Sequence, residues 1–490
     1  MNYASPEAVD VRSEDIERYV KGLEEKNLAT HDIIMARGDN IFFEKYYEPF
    51  DREFFHRMYS VSKSIVSIAV GFMLGDNLAD IDDPMEKFFG DELKNQTDEN
   101  IKKQTIRDML MMCTAKPNRV WFDHRPEDRV RFYFENNRIE TRPAGTVYYY
   151  DSEGSFILGA LVENLTGKTL TEYLNEKLFK KIGVSEKTSC LKCPGGHSWG
   201  DSGMLLRPVD LLKIARFILN GGSWNGEQLL DREYIKNAVS FKTYNNQTDA
   251  CAADTLGYGW QIWRTYGNSF FFNGMGCQYA VCVPDKDMIL IYNADNQGKE
   301  NVTNSIIEDF IKGIAQNASD EPLAKNPEAE KSLREATSGL KLAVTRGNVA
   351  SRFEKEFTGR VYTLGANPMG IERFKVEIEN GEGKFIYKNA QGEKTVRFGM
   401  GKNVISEFPQ DGYSSEIGGV TAKGNHYRCA ASGAWVEEKK LHIYVQIIDR
   451  YFGNLGITIG FKGDVCGMRM IKHAEDFLSE YQGFAGGHRE

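Results

Sequence analysis

Ser60 and Lys63 stand three residues apart in the stretch Met58-Tyr59-Ser60-Val61-Ser62-Lys63-Ser64. On a helix that spacing puts both side chains on one face. Ile65, Val66, Ile68, Ala69, Val70 and Phe72 follow, so the pattern predicts a core helix over 58–74. A serine hydroxyl is a poor nucleophile until a base takes its proton. A lysine is that base only when neutral. Its ordinary pKa is about 10.4, and bringing it near 7 costs about 4 kcal/mol, which apolar surroundings can impose. The apolar run behind Ser60 offers such surroundings. The helix N-terminus would also favour the developing alkoxide.

Spacing alone is weak evidence. Ser-x-x-Lys recurs at Ser189/Lys192 and Ser338/Lys341, neither with an apolar helix behind it. Context separates the first from these two. His56 to Pro84, HRMYSVSKSIVSIAVGFMLGDNLADIDDP, resembles the nucleophile helix of the serine β-lactamase and penicillin-binding-protein superfamily. The closest pattern is the class C-like branch, which also holds esterases, D-amino-acid peptidases and amide hydrolases. That branch carries a second motif, Tyr-x-Asn or Tyr-x-Ser. Pro143 to Ser152, PAGTVYYYDS, followed by Phe156-Ile157-Leu158-Gly159, looks like it. Counting back from Gly159 selects Tyr150 and Ser152. The rival Tyr244-Asn245-Asn246 comes too late and lacks that surrounding pattern.

The third motif is Lys-Thr-Gly or His-x-Gly on the strand beside the site. Phe272-Asn273-Gly274-Met275-Gly276-Cys277-Gln278-Tyr279 stands in its place. The stretches Gly203 to Leu211, Gly221 to Gly226 and Gly257 to Trp260 also resemble the family, and the likeness spans about residues 13 to 315. One departure matters. Phe272 stands where the family has a cation that commonly helps bind a substrate carboxylate. An ester or amide with a neutral flank fits this better than a β-lactam or a peptidoglycan stem peptide.

The resemblance implies roles. Ser60 attacks a carbonyl and forms an acyl-enzyme, and Lys63 accepts its proton. Tyr150 relays a proton to the leaving group. Ser152 hydrogen-bonds to Lys63 or to substrate. The backbone N–H groups of Ser60 and Met275 hold the oxyanion, worth about 3 kcal/mol per donor. Gly274 lets the strand approach closely, with Asn273 beside it. A catalytically weak or inactive relative, serving as a binding or regulatory module, is the alternative. A true β-lactamase or D-Ala-D-Ala peptidase is a third reading. The mechanism needs no metal or organic cofactor.

Elements must position these residues. A helix is predicted over Asp15 to Leu23, then a hairpin turning at Gly38-Asp39-Asn40. Helical patterns dominate from 85 to 220, including Gly154 to Leu165 and Pro208 to Leu219. Strand patterns return at Gly257–Tyr266, Ser269–Phe272, Gln278–Val283 and Met288–Asn293, and a helix over Val302–Ala315 follows. The expected fold class is α/β (α+β): an antiparallel sheet flanked by helices plus an all-helical subdomain, the β-lactamase/transpeptidase-like arrangement. Expected boundaries are 1–316 for this domain, 317–350 for a polar linker with a helix, and 351–490 for a small all-β, barrel-like domain. Alternation at Leu441, Ile443, Val445 and Ile447 supports the last, which should end in a short helix near Glu475–Tyr481.

The chain has 490 residues, 41% hydrophobic and 27% charged, with a net charge of −9. No basic stripe suggests a nucleic-acid partner. The first residues lack a signal-peptide pattern, and no run of about 18 apolar residues suggests a membrane span. A cytoplasmic protein acting on a small-molecule ester or amide is expected, with the C-terminal domain a candidate for building an oligomer. Cys190 and Cys193 form a CxxC with His197 nearby. Two thiols in a turn explain it better than half a zinc site, since no second CxxC exists. Trp121 and Trp260 read as core or pocket wall, and His124 and His197 as loop residues.

Overall fold

The computed structural model describes residues 1–116, 126–135, 141–245 and 252–490. Trp121, His124 and Asn246 lie outside them. The chain divides into two units: Met1–Lys341 with Glu416–Gly418, and Leu342–Ser415 with Gly419–Glu490. Among the described residues no helix is long and apolar enough to cross a membrane.

The elements of the first unit that position the site are these. Helix α1 covers Ser13–Glu25. Strands β1, Thr30–Arg37, and β2, Asn40–Tyr46, form the hairpin, and β3 is His56–Arg57. Helix α2 runs Val61–Gly75. Helices α3, Ile106–Leu110, α4, Arg129–Glu135, and α5, Ser152–Thr166, follow. Strands β4, Ser189–Cys190, and β5, Met204–Leu206, precede helix α6, Pro208–Leu219. Strands β6, Trp263–Arg264, β7, Phe270–Gly274, β8, Gln278–Val283, and β9, Met288–Ala294, lead to helix α7, Glu300–Phe310.

The sheet runs β2-β1-β9-β8-β7-β6, antiparallel throughout, with Asn2–Tyr3 adding a parallel edge on β2. Its central strands β8 and β9 are buried at every residue, as strands covered on both faces must be. Helices α1 and α7 meet on one side, where Tyr19 Oη donates to the Ile306 carbonyl at 3.1 Å. The run expected as one strand over 257–266 is instead a loop ending in the two-residue β6. Gly257 and Gln261 there take positive φ, of 117° and 60°, which breaks an extended ladder.

Helix α2 is buried on every face from Val61 to Met73, the mark of a central helix. Each fully buried aliphatic side chain on it is worth about 1.5–3 kcal/mol. Its serines are tied to neighbours rather than orphaned. Ser62 Oγ accepts from the Met204 N–H at 3.1 Å. Ser64 Oγ donates to the Gln261 carbonyl at 2.7 Å, and Ser67 Oγ lies 3.2 Å from Tyr234 Oη. Three hydroxyls thus fix the rotation of the helix that starts at Ser60.

Part of the segment expected as a linker belongs to the first unit. Helix Pro327–Ala336 lies along α1, with Asn326 bonded to Glu14 and Ser332 to Glu17. The second unit is a ten-stranded antiparallel meander. One edge strand, Gly392–Met400, also pairs in parallel with Thr421–Glu437, through Gly399↔Ser432 and Met400↔Gly433, so the sheet closes into a barrel. Leu441, Ile443, Val445 and Ile447 all face its apolar interior. The short helix expected near its end is a single turn, Ser479–Tyr481. Tyr481 Oη meets Tyr387 Oη at 2.5 Å inside the barrel.

Candidate active site

Ser60 caps the N-terminus of α2, half-buried, where the helix dipole favours negative charge. Tyr59 before it has φ +45°, an unusual conformation for a bulky residue, and its ring is stacked under the Arg57 guanidinium at 4.2 Å. Arg57 is wholly buried, lies 4.5 Å from the Trp199 ring on its other side and donates to the Ser202 carbonyl at 3.0 Å. Met58 N–H donates to the Met204 carbonyl at 2.8 Å. The chain ahead of Ser60 is therefore held through both Arg57 and Met58.

Lys63 Nζ lies 2.9 Å from Ser60 Oγ. Lys63 is 2% exposed, yet its surroundings are less apolar than the sequence suggests. Nζ also donates to the Asp201 carbonyl at 2.8 Å and lies 3.9 Å from Asp201 Oδ2. Burial raises the Asp201 carboxyl above its ordinary range, against the lowering pull of Lys63, Arg129 and Arg57.

Three consecutive tyrosines take three environments. Tyr148 packs into the core at 5.2 Å from the Tyr258 ring, and Tyr149 is half exposed. Tyr150 places its ring 5.2 Å from Lys63 Nζ, and Trp263 packs against it at 5.6 Å. Asp151 fixes this turn: it caps α5 through Gly154 N–H and accepts from Thr114 Oγ1 at 2.8 Å. Ser152 begins α5 but makes no hydrogen bond to Lys63; Asp201 takes that position through its carbonyl.

Strand β7 ends close to the chain that leads into Ser60. A Cβ on Gly274 would lie 2.3 Å from the Met58 carbonyl oxygen, so only glycine permits this approach. Side chains alternate along a strand, so Phe272 shares that face, and it is fully buried. Asn273 faces the other way and is partly exposed, and Met275 is exposed. Gln278 holds the turn, its Nε2 donating to the Met275 carbonyl at 3.1 Å and the Ala294 carbonyl at 2.6 Å. Among the described residues the N–H groups of Ser60 and Met275 donate to no backbone carbonyl outside the helix and strand ladders.

Asp201, Arg57, Gln261 and Gln278 were not singled out as site residues from sequence. Gln261 is a hub: its carbonyl takes Ser64 of α2, its Oε1 takes Ser155 of α5, and its Nε2 reaches the Met109 carbonyl of α3. It joins the helix that follows Ser60 and carries Lys63 to the helix preceded by Tyr150 and its cap Asp151. Its only local mark is polarity between Trp260 and Ile262. Trp260 is core, 5.1 Å from the Tyr234 ring. Cys193 accepts from Arg129 at 2.9 Å, and burial pushes its thiol up. His197 Nδ1 lies 2.7 Å from Glu163 Oε2 on α5.

A family model described as Beta-lactamase matches residues 17–307, more than half of the chain. The 6-aminohexanoate-dimer hydrolase of Paenarthrobacter ureafaciens is 20% identical over 292 residues, covering 56% of this chain and 74% of that protein. Among solved structures, the octameric penicillin-binding protein homologue from Pyrococcus abyssi aligns with a TM-score of 0.50 at 14% identity, over 96% of this chain and 99% of that one. That likeness extends over both units and concerns the fold.

Proposed function

The chain belongs to the beta-lactamase family, and from that premise we propose that it is a serine hydrolase cleaving an ester or amide bond through an acyl-enzyme on Ser60. One observation carries the reading: Lys63 Nζ stands 2.9 Å from Ser60 Oγ with the Tyr150 ring 5.2 Å from the same nitrogen. That is nucleophile and base within hydrogen-bond reach, and a second proton carrier beside them.

Lys63 takes the Ser60 proton as Oγ bonds to the substrate carbonyl carbon. The carbonyl oxygen becomes an oxyanion held by the N–H groups of Ser60 and Met275, aimed by the α2 terminus and the Gln278-braced turn. The tetrahedral intermediate expels its alcohol or amine, which leaves with the proton Lys63 gained, relayed through Tyr150. Water then attacks the acyl-enzyme, giving its proton back along the same path and releasing the acid.

Phe272 bears on substrate choice. Fully buried two residues before Gly274, it supplies no charge at the position where the family carries a cation. We infer a substrate neutral at that flank, and an ester or amide of this kind suits the position better than a carboxylate-bearing β-lactam. The test is labelling with a fluorophosphonate probe, with the modified peptide mapped by mass spectrometry. Label on Ser60 that disappears in Lys63→Ala is the expected result. A folded wild type that neither labels nor turns over p-nitrophenyl acetate would instead be a binding module.

A further inference from the structure

One residue holds the Lys63 amine twice over. The Asp201 carbonyl accepts from Nζ at 2.8 Å, and its Oδ2 lies 3.9 Å from the same atom. The other carboxyl oxygen, Oδ1, is buried with no hydrogen-bond partner among the described residues. Such a group is costly and is tolerated where it serves a purpose. The titratable groups that face it come from several elements: Lys63 on α2, Arg57 on β3, Arg129 on α4, Cys190 on β4 and Cys193 after it. Tyr150 lies beyond Lys63. Arg57 is spent on Ser202 and Arg129 on Cys193. Lys63 is the cation whose working partner is Ser60.

We propose that Asp201 is a positioning residue for acylation: its carbonyl aims Lys63 at Ser60, and its carboxyl sets how many protons the Lys63–Asp201 pair carries when the reaction starts. The proposal rests on the reading of Lys63 as proton acceptor. Two titrating groups this close exchange protons as a unit, and the unit, not either residue, governs the pH profile. A carboxylate beside an amine favours the ammonium, which cannot take the Ser60 proton. A protonated carboxyl lifts that restraint. Burial moves the carboxyl toward the protonated form, and so toward the state in which Lys63 works.

Replacing the side chain leaves the carbonyl in place, so the carboxyl can be tested alone. The experiment compares wild type, Asp201→Asn and Asp201→Ala in the full chain. It reads the second-order rate constant for Ser60 modification by the fluorophosphonate from pH 5 to 10, with folding checked by circular dichroism. In both variants the acid limb should move to lower pH by about one to two units, as expected when a negative neighbour is removed from a base. At pH 6 that is about a ten- to hundredfold gain in labelling relative to each protein's own plateau. A merely structural role would lower the plateau and leave the limb in place. If the alanine variant fails to fold, the nearly isosteric asparagine variant decides. Limbs that superimpose on wild type in any folded variant overturn the proposal. A wild type that labels at Ser60 only when Lys63 is present keeps the hydrolase reading standing even then; one that never labels sinks both.

Discussion

Two buried clusters of acids and bases lie in the first unit, and they differ in what they can reach. One is Lys63 with Asp201. The other is Asp32 on β1 with His56 on β3, their nearest atoms 3.4 Å apart, and His31 beside them. His31 stacks on Phe50 at 3.8 Å, and the Phe54 ring meets His56 edge-on at 4.8 Å. Burial drives both members of this second pair toward neutrality. His56 falls to about 3, His31 falls well below its usual range, and Asp32 rises well above its own. Burial therefore pushes the two sides of the Asp32–His56 contact in the same sense, away from their charged forms. The first cluster instead opens onto a half-buried serine at a helix end. Burial raises the carboxyl in each; the Lys63–Asp201 cluster also has the Ser60 hydroxyl within hydrogen-bond reach, and on that contact the proposed function rests.

The largest expected effect is at that contact. Ser60→Ala should abolish fluorophosphonate labelling, and Lys63→Ala should cut its rate about 10³-fold or more, with the far-ultraviolet spectrum unchanged. Tyr150→Phe should cost about 10²–10³-fold in steady-state turnover of a p-nitrophenyl ester, read against a smaller loss in the labelling step. Equal losses in both would place Tyr150 in acylation alone. Gly274→Ala should lower kcat/KM about 10²-fold by pushing β7 off the Met58 carbonyl, since misplacement of about 1 Å costs that much.

The smallest effect on turnover belongs to the sealed cluster. His56→Phe should leave kcat/KM within about threefold at pH 7.5 and act on stability instead. A histidine whose folded pKa is depressed stabilises the fold above about pH 6.5 and loses that contribution as pH falls toward about 3. From pH 6.5 to 5 the His56 imidazole gives up about 2 kcal/mol. Asp32 works against this: its raised pKa contributes stability at low pH that is lost as pH rises through it. His56→Phe removes the His56 share. Urea unfolding at pH 7.5 and pH 5 should therefore show stability less weakened, or more strengthened, by acidification in His56→Phe than in wild type. A pH dependence identical in the two proteins would mean that His56 does not carry this sensitivity.

What sequence could reveal follows from how each contact is made. Ser60, Lys63 and the helix beneath them are local, so spacing and an apolar run disclose them. The mixed fold, with its antiparallel sheet and C-terminal barrel, follows from strand alternation and turn residues. Choosing Tyr150 among three tyrosines needed only an offset from Gly159, and that tyrosine is the one beside Lys63. Asp201 was invisible because it meets Lys63 across 138 positions of chain. Gln261 reaches Ser64 across 197 and works from a left-handed backbone that no periodicity signals. Ser152 was expected on Lys63 or on substrate; it makes no hydrogen bond to Lys63, where the Asp201 carbonyl accepts instead, and substrate is the partner left to it. The strand over 257–266 failed because its residues satisfy their backbone in loops around Gln261.

The barrel's closure has a consequence for how the chain is made. Strand Gly483–Arg489 lies between Val361–Leu364 and Val465–His473, pairing Tyr362 with Arg489 and Val465 with His488. The ring cannot be completed until residues 483–489 have left the ribosome. Until then two strand edges stand open, each able to template a neighbouring nascent chain. By contrast the last strand of the catalytic sheet, Met288–Ala294, is synthesised nearly 190 residues earlier. Vectorial synthesis thus gives the hydrolase unit a head start and leaves the barrel as the step most exposed to misassembly.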